Sequence, residues 1–314
     1  MKKLILSIFA TFFILFNLLV SPSLMTFASS YQTSKRTPKT QQTNSPTILF
    51  MSDFGVIDDS VAICKGVMLS IEPKLKIIDI SHQVTPYSIL DGARFLAGTT
   101  AYYPPATVFA VVIDPGVGSE RKAIVAKSKR GQYFVLPNNG LLTLVEQQDG
   151  LEAVREITNT KLMIGQALSS TFHGRDIFSP VAAHIAKGEN WAKVGTILPI
   201  NELVKLNISA AQIDEKGLSA EVIGLDGPYG NLVTNVDAEV FYKLGYKISE
   251  KINIKIGEQN ISLPFVKTFS DVAVNQPLLY IDSRGHLALA INQNNFAQVY
   301  KVQPPVKIYI SARK

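Results

Sequence analysis

The sequence is short of the residues that most readily announce a function. It contains one cysteine, Cys64, so no disulfide can form within the chain. Its four histidines, His82, His173, His184 and His286, are scattered, and no closely spaced pair of histidines or cysteines offers the ligand spacing of a zinc site. It has neither a Gly-x-Ser-x-Gly nucleophile elbow nor a Walker-type phosphate loop. Cys64 lies in the apolar stretch Val61–Leu69 at helical spacing and reads as a buried structural thiol rather than a nucleophile. Acid is absent from residues 1–46, which carry five bases: Lys2, Lys3, Lys35, Arg36 and Lys39. Subtracting those five from the formal charge of +6 leaves +1 for the remainder, so no basic excess there points to nucleic acid.

That N-terminal stretch has its own logic. Met1-Lys2-Lys3 is a basic start, Leu4–Val20 is an uncharged and mostly apolar run, and Thr26-Phe27-Ala28 supplies small residues where a signal peptidase cuts. This is the layout of a secretory signal peptide over residues 1–28, with an uncleaved membrane anchor as the alternative. Ser29–Pro46, rich in Ser, Thr, Gln, Lys and Pro, reads as a disordered tether. The expected location is outside the cytoplasm, periplasmic or secreted, with the membrane touched only through the leader if it stays attached.

Two rhythms follow. Over residues 47–199, short apolar runs (Ile48–Met51, Ile77–Ile80, Val108–Ile113, Tyr133–Leu136) alternate with helical stretches at Asp59–Ile71, Ile89–Tyr103 and Ile177–Lys187. Several of the strands are apolar on both faces, as in a mostly parallel sheet lying between helices. Over residues 200–314 the pattern becomes that of hairpins. Lys251–Ile256 alternates strictly, Gly257–Asn260 is a turn, and Leu278–Ile281 and Leu287–Ile291 flank the turn residues Asp282–Gly285. Together these predict an α/β N-terminal domain and a small antiparallel, barrel-like C-terminal domain. Polar clusters at Asp53, His82, Asp114 and Asn138-Asn139 each follow a strand, and ligands of open α/β sheets bind at the carboxyl ends of strands. The four clusters are therefore expected to converge on one edge.

Asp114-Pro115-Gly116-Val117-Gly118-Ser119-Glu120-Arg121 is the sharpest segment: an acid ending a buried strand, two glycines that allow close backbone approach, and an arginine placed to fold back on the carboxylate. A tight turn closed by a salt bridge is the plainer reading. Thr171-Phe172-His173-Gly174-Arg175-Asp176 precedes a helix and offers His173 as base or donor. Asp226–Asn235 packs a carboxylate, an aromatic ring and two amides around a Gly-Pro turn. Residue chemistry alone stops at a two-domain enzyme with a polar cleft.

Taken together, Ser52–Gly55, Asp79–His82, Asp91–Arg94, Asp114–Arg121, Asn138–Leu142, Thr171–Asp176, Asp226–Asn235 and the surroundings of Asn292 resemble the S-adenosylmethionine hydroxide adenosyltransferases. These are relatives of enzymes that place fluoride or chloride on the same ribose carbon. The resemblance runs from Thr47 to the C-terminus. It implies hydrolysis of S-adenosylmethionine to adenosine and methionine, with Asp114, Arg121 and His173 activating water. It also implies that Asp53 holds the ribose hydroxyls, with Tyr87, Phe172, Tyr229 and Phe269 as aromatic neighbours of the ligand. Asp226 and Asn231 hold the methionine part and adenine, and Ser283 and Arg284 close on the two ends. Implied too are a homotrimer with each site shared between subunits, and no metal or cofactor. Ser60 stands where a tyrosine is more usual, Asn138 where many hydroxide-using relatives carry aspartate, and Ile291 where a halogenating relative carries arginine. The alternatives are a halogenase, against which the anionic Asp114 speaks, and an exported protein that binds adenosyl compounds without turnover.

Overall fold

The computed structural model describes residues 46–165 and 167–313; the expected leader and all but the last residue of the tether lie outside them. The first half runs β1 (Thr47–Ser52), α1 (Ser60–Ile71), β2 (Lys76–Ser81), α2 (Ile89–Thr100), β3 (Val108–Val112), β4 (Ala123–Ser128), β5 (Tyr133–Pro137), α3 (Thr143–Asp149), β6 (Leu151–Glu156), α4 (Ser179–Ala186) and β7 (Ile197–Leu198). Its seven strands order as β2-β1-β3-β5-β4-β6-β7. Pairing is parallel from β2 to β5 and antiparallel beyond, so the sheet is mixed and mostly parallel.

Strand alternation explains the two layers of helix. On β1 and β3, Ile48, Phe50, Val108, Ala110 and Val112 pack with Cys64 and Met68 of α1 and Val181 and Ala182 of α4. Their neighbours Leu49, Met51, Phe109 and Val111 pack on the other face with Leu96 of α2 and Val145 of α3. Successive side chains of a strand point to opposite faces, so a run that is apolar throughout must be covered twice. Cys64 belongs to this packing: burial pushes its thiol up to about 11, as befits a structural residue. Helix α2 starts where Ser88 accepts a hydrogen bond from the Asp91 amide, and stops at Thr100 rather than Tyr103, ahead of Pro104-Pro105.

The second half runs β8 (Gln212–Ile213), β9 (Gly217–Asp226), β10 (Asn231–Asp237), α5 (Ala238–Tyr242), β11 (Lys251–Ile256), β12 (Gln259–Pro264), β13 (Pro277–Ile281), β14 (His286–Ile291), α6 (Phe296–Val299) and β15 (Val306–Ser311). Seven of these strands order as β12-β11-β15-β9-β10-β14-β13, with β8 added to β9. Just past β12, the Val266 amide donates to the Leu279 carbonyl of β13 at 2.9 Å, linking the two ends of the sheet. The result is a nearly closed antiparallel barrel, filled by inward residues such as Ile252, Ile254, Leu232, Leu289 and Phe241. Among the described residues no helix is long and apolar enough to cross a membrane.

Candidate active site

A cavity of about 380 Å³ opens at the carboxyl ends of β1 and β3, where Asp53, Tyr87, Asp114, Phe172 and His173 face one another. Asp114 follows β3 after one residue, Ile113. Consecutive turns, Val117 N–H to the Asp114 carbonyl (3.2 Å) and Ser119 N–H to the Gly116 carbonyl (3.1 Å), reverse the chain and bring Arg121 back over it. Gly118 sits at φ +77°, and a Cβ there would stand 2.3 Å from the Ser170 carbonyl oxygen. Only glycine lets this loop lie against the segment that carries His173.

Arg121 grips both oxygens of Asp114: Nε donates to Oδ1 at 2.8 Å and Nη2 donates to Oδ2. The same Nη2 lies 2.8 Å from His173 Nδ1. A guanidinium has donors only, so Nδ1 accepts, and the proton of the neutral ring resides on Nε2. Burial lowers the His173 pKa below the ordinary histidine value, and the Arg121 charge adds to that against weaker pulls from Asp114 and Asp176. The guanidinium also lies over the Phe178 ring, 5.1 Å from its centroid. The outcome is a carboxylate with a fixed orientation beside a neutral imidazole that donates.

On the opposite wall, Asp53 Oδ2 accepts the backbone N–H of Tyr87 at 2.9 Å. Tyr87 has φ +65°, a conformation unfavourable for a tyrosine, and the residue stands 75% exposed. The Asp53 bond therefore holds an aromatic ring out into solvent at the cavity mouth. Phe54 and Phe172 form an edge-to-face pair behind it, centroids 5.8 Å apart.

Two of the four clusters expected at this edge do not reach the cavity. His82 is buried with its Nδ1 2.7 Å from Ser52 Oγ and its ring edge-on to Phe50. Its Nε2 lies 3.1 Å from Asp79 Oδ1, poorly aligned for a hydrogen bond. Burial lowers its pKa, and Asp79 only partly offsets this. His82 braces the loop behind Asp53, since its carbonyl accepts the Gly55 amide at 2.7 Å. Asn138 is likewise engaged elsewhere: its Oδ1 accepts the Val204 amide at 2.9 Å and its Nδ2 donates to the Glu202 carbonyl at 3.3 Å, tying down the connection to the barrel.

The remaining expected residues meet on the barrel half. Asp226, Tyr229, Asn231, Phe269, Ser283 and Arg284 line a cavity of about 480 Å³. Tyr229, Asn231 and Phe269 also border a second one, of about 650 Å³, with the amides Asn292, Asn294 and Asn295. Neither is lined by any residue of the Asp114 cavity. Tyr229 is 68% exposed. The expected set thus divides into two half-sites on one chain. Phe54, Thr171 and the amides after β14 stood within or beside segments recognised in the sequence, but residue order alone gave them no role at the site. Among the described residues no group of three or more His, Cys, Asp or Glu is arranged to hold a metal ion.

An α/β sheet with a charged cavity at its strand ends, joined to a barrel with aromatic and amide-lined cavities, defines a two-part small-molecule enzyme. Residues 48–195 match the family model of the SAM hydroxide adenosyltransferase N-terminal domain, and residues 220–309 match that of its C-terminal domain. The chain belongs to this family. It is 34% identical to an (R)-S-adenosyl-L-methionine hydrolase of Salinispora tropica, covering 85% of this chain and 98% of that one. It is 33% identical to a fluorinase of Actinoplanes, covering 85% and 97%. A crystal structure of an uncharacterized conserved protein from Thermotoga maritima superposes with a TM-score of 0.79 at 37% identity, covering 84% and 99%.

Proposed function

We propose that the protein hydrolyses S-adenosyl-L-methionine to adenosine and L-methionine. Water attacks ribose C5′, the C5′–S bond breaks, its electron pair returns to sulfur, and the proton shed by water passes to Asp114. The observation that carries this reading is the Asp114 carboxylate at the end of β3, held on both oxygens by Arg121. A sulfonium leaves readily, so the work lies in aligning a weak nucleophile and taking its proton. Each carboxylate oxygen has a lone pair beyond the one Arg121 uses, and these suit a water molecule. His173 serves as donor from Nε2 rather than as base, because Nδ1 is occupied by Arg121. Asp53 is suited to the ribose hydroxyls, and Asp226, Asn231, Ser283 and Arg284 to the amino-acid and adenine ends. The reaction as written needs no metal or cofactor.

The same relatives include fluorinases, and the choice of nucleophile rests on charge. A carboxylate where the nucleophile must sit repels a halide and attracts the hydrogens of water. The separation of the half-sites, each with an exposed tyrosine, supports a homotrimer in which the Asp114 cavity of one subunit meets the barrel of the next. The signal-peptide pattern in the sequence of residues 1–28 supports an exported protein. Incubation of the purified protein with S-adenosylmethionine, with and without chloride or fluoride, tests the reaction by chromatography. Adenosine in every tube is expected; a 5′-halo product, or bound but unconverted substrate, overturns it.

A further inference from the structure

Arg94, on α2, is a buried cation that the proposed chemistry leaves unused. Its Nη1 donates to Asp91 Oδ1 at 2.7 Å, and Asp91 Oδ2 in turn accepts from Thr85 Oγ at 2.7 Å. Its Nη2 is cut off from solvent and has no hydrogen-bond partner. That orphaned nitrogen lies 3.7 Å from Asp226 Oδ1, and Arg284 Nη1 approaches the same oxygen to 3.9 Å. Asp226 thus stands near two guanidinium groups, hydrogen-bonded to neither, and it lines the 480 Å³ cavity, which Phe95 of α2 also borders. The strand makes room for this. A Cβ at Gly224 would lie 1.8 Å from Arg94 Nη1, so β9 admits the guanidinium only because it carries glycine there.

A buried donor left unpaired is costly, and a carboxylate within a small rotation of it is the obvious partner. We infer that Arg94 is a positioning residue: on binding of the amino-acid end of the ligand, its Nη2 closes on Asp226 and fixes which carboxylate oxygen faces the ligand's ammonium group. Helix α2 then serves both half-sites. Its N-cap Ser88 follows Tyr87, whose amide is tied to Asp53, while Arg94 reaches the barrel carboxylate. The inference rests on the proposed substrate, because it needs a ligand with an ammonium group at Asp226.

The test compares two ligands on the full chain by calorimetry. One is adenosine. The other is the demethylated thioether of the substrate, which keeps the amino-acid end and lacks the sulfonium leaving group. Arg94→Met should weaken the thioether about tenfold, the scale of one charge-assisted hydrogen bond, and leave adenosine within twofold. Arg94→Lys, which keeps the charge but loses the fork, should show the same selective loss. If Arg94→Met fails to fold, Gly224→Ala, which displaces the guanidinium without changing any charge, should reproduce the effect. Equal weakening of both ligands, or of neither, overturns the positioning role. If the wild-type protein binds adenosine but not the thioether, the substrate reading itself falls and takes the inference with it.

Discussion

At the ends of β1 and β3 the polar atoms are already paired before any ligand arrives. Asp114 is held by Arg121, Arg121 by Phe178 and His173, and Asp53 by the Tyr87 amide. On the barrel half the amides Asn292, Asn294 and Asn295 are paired as well, but Asp226 is not. Asp226 stands 3.7 and 3.9 Å from two guanidinium groups without bonding either, and the Tyr229 ring stands largely in water. Fixed groups that do not reorganise suit the bond-making step, where charge and water must be aligned in advance. Loosely partnered charges and exposed rings suit recognition, which completes itself on contact. On the proposed reading, chemistry falls to the Asp114 wall of the α/β half and recognition to Asp53 and the barrel, a contrast that can be broken by experiment.

The largest effect is expected at Asp114. Asp114→Asn keeps the shape and removes the proton acceptor, so single-turnover adenosine formation should fall roughly 10²–10⁴-fold. Affinity for the thioether analogue should change little. Near-normal turnover in this variant would falsify the assignment of Asp114. Asp53→Ala should do the reverse, weakening ligand binding by about tenfold through lost ribose hydrogen bonds while sparing the rate from the bound state. A fall in that rate instead would erase the division between the two walls of the cavity.

Complementation sharpens the comparison further. If each site joins the α/β half of one subunit to the barrel of another, co-expressed Asp114→Asn and Asp226→Ala chains, each impaired alone at subsaturating substrate, should assemble into trimers with some intact sites. Recovered activity in the mixture is the expected outcome. No recovery in mixed trimers of confirmed composition would place both half-sites in one chain's service.

The smallest effect concerns pH. His82 and His173 both have folded-state pKa values lowered by burial. As pH falls through about 6.5, the unfolded chain takes up protons that the folded rings still refuse. Their contribution to stability is whole above that value and declines below it until the folded rings titrate. Melting temperatures between pH 7.5 and 5.5 should therefore drop on the acid side, and a His82→Gln, His173→Gln double variant should flatten the profile. An unchanged slope in the double variant would show that other groups control it.

Much of this protein was legible in its sequence. The doubly apolar strands at Ile48–Met51 and Val108–Ile113, and the strict alternation of Lys251–Ile256, named the two architectures because face exposure follows directly from strand geometry. The Asp114–Arg121 pair was legible for a similar reason: a separation of seven positions that includes two glycines leaves few ways to turn, and the local chain closes the contact by itself. Only tertiary structure decided the rest. Arg121 meets His173 across 52 residues because two loops end on the same sheet edge. Asn138 and His82 stand at that edge too and are spent on bracing, which residue type cannot reveal. The approach of Arg94 to Asp226 required helix α2 to lie against β9 at a glycine. Local contacts are set by short-chain geometry and can be read from residue order. Contacts between distant segments depend on which surfaces the packed cores bring together, and no stretch of sequence carries that information alone.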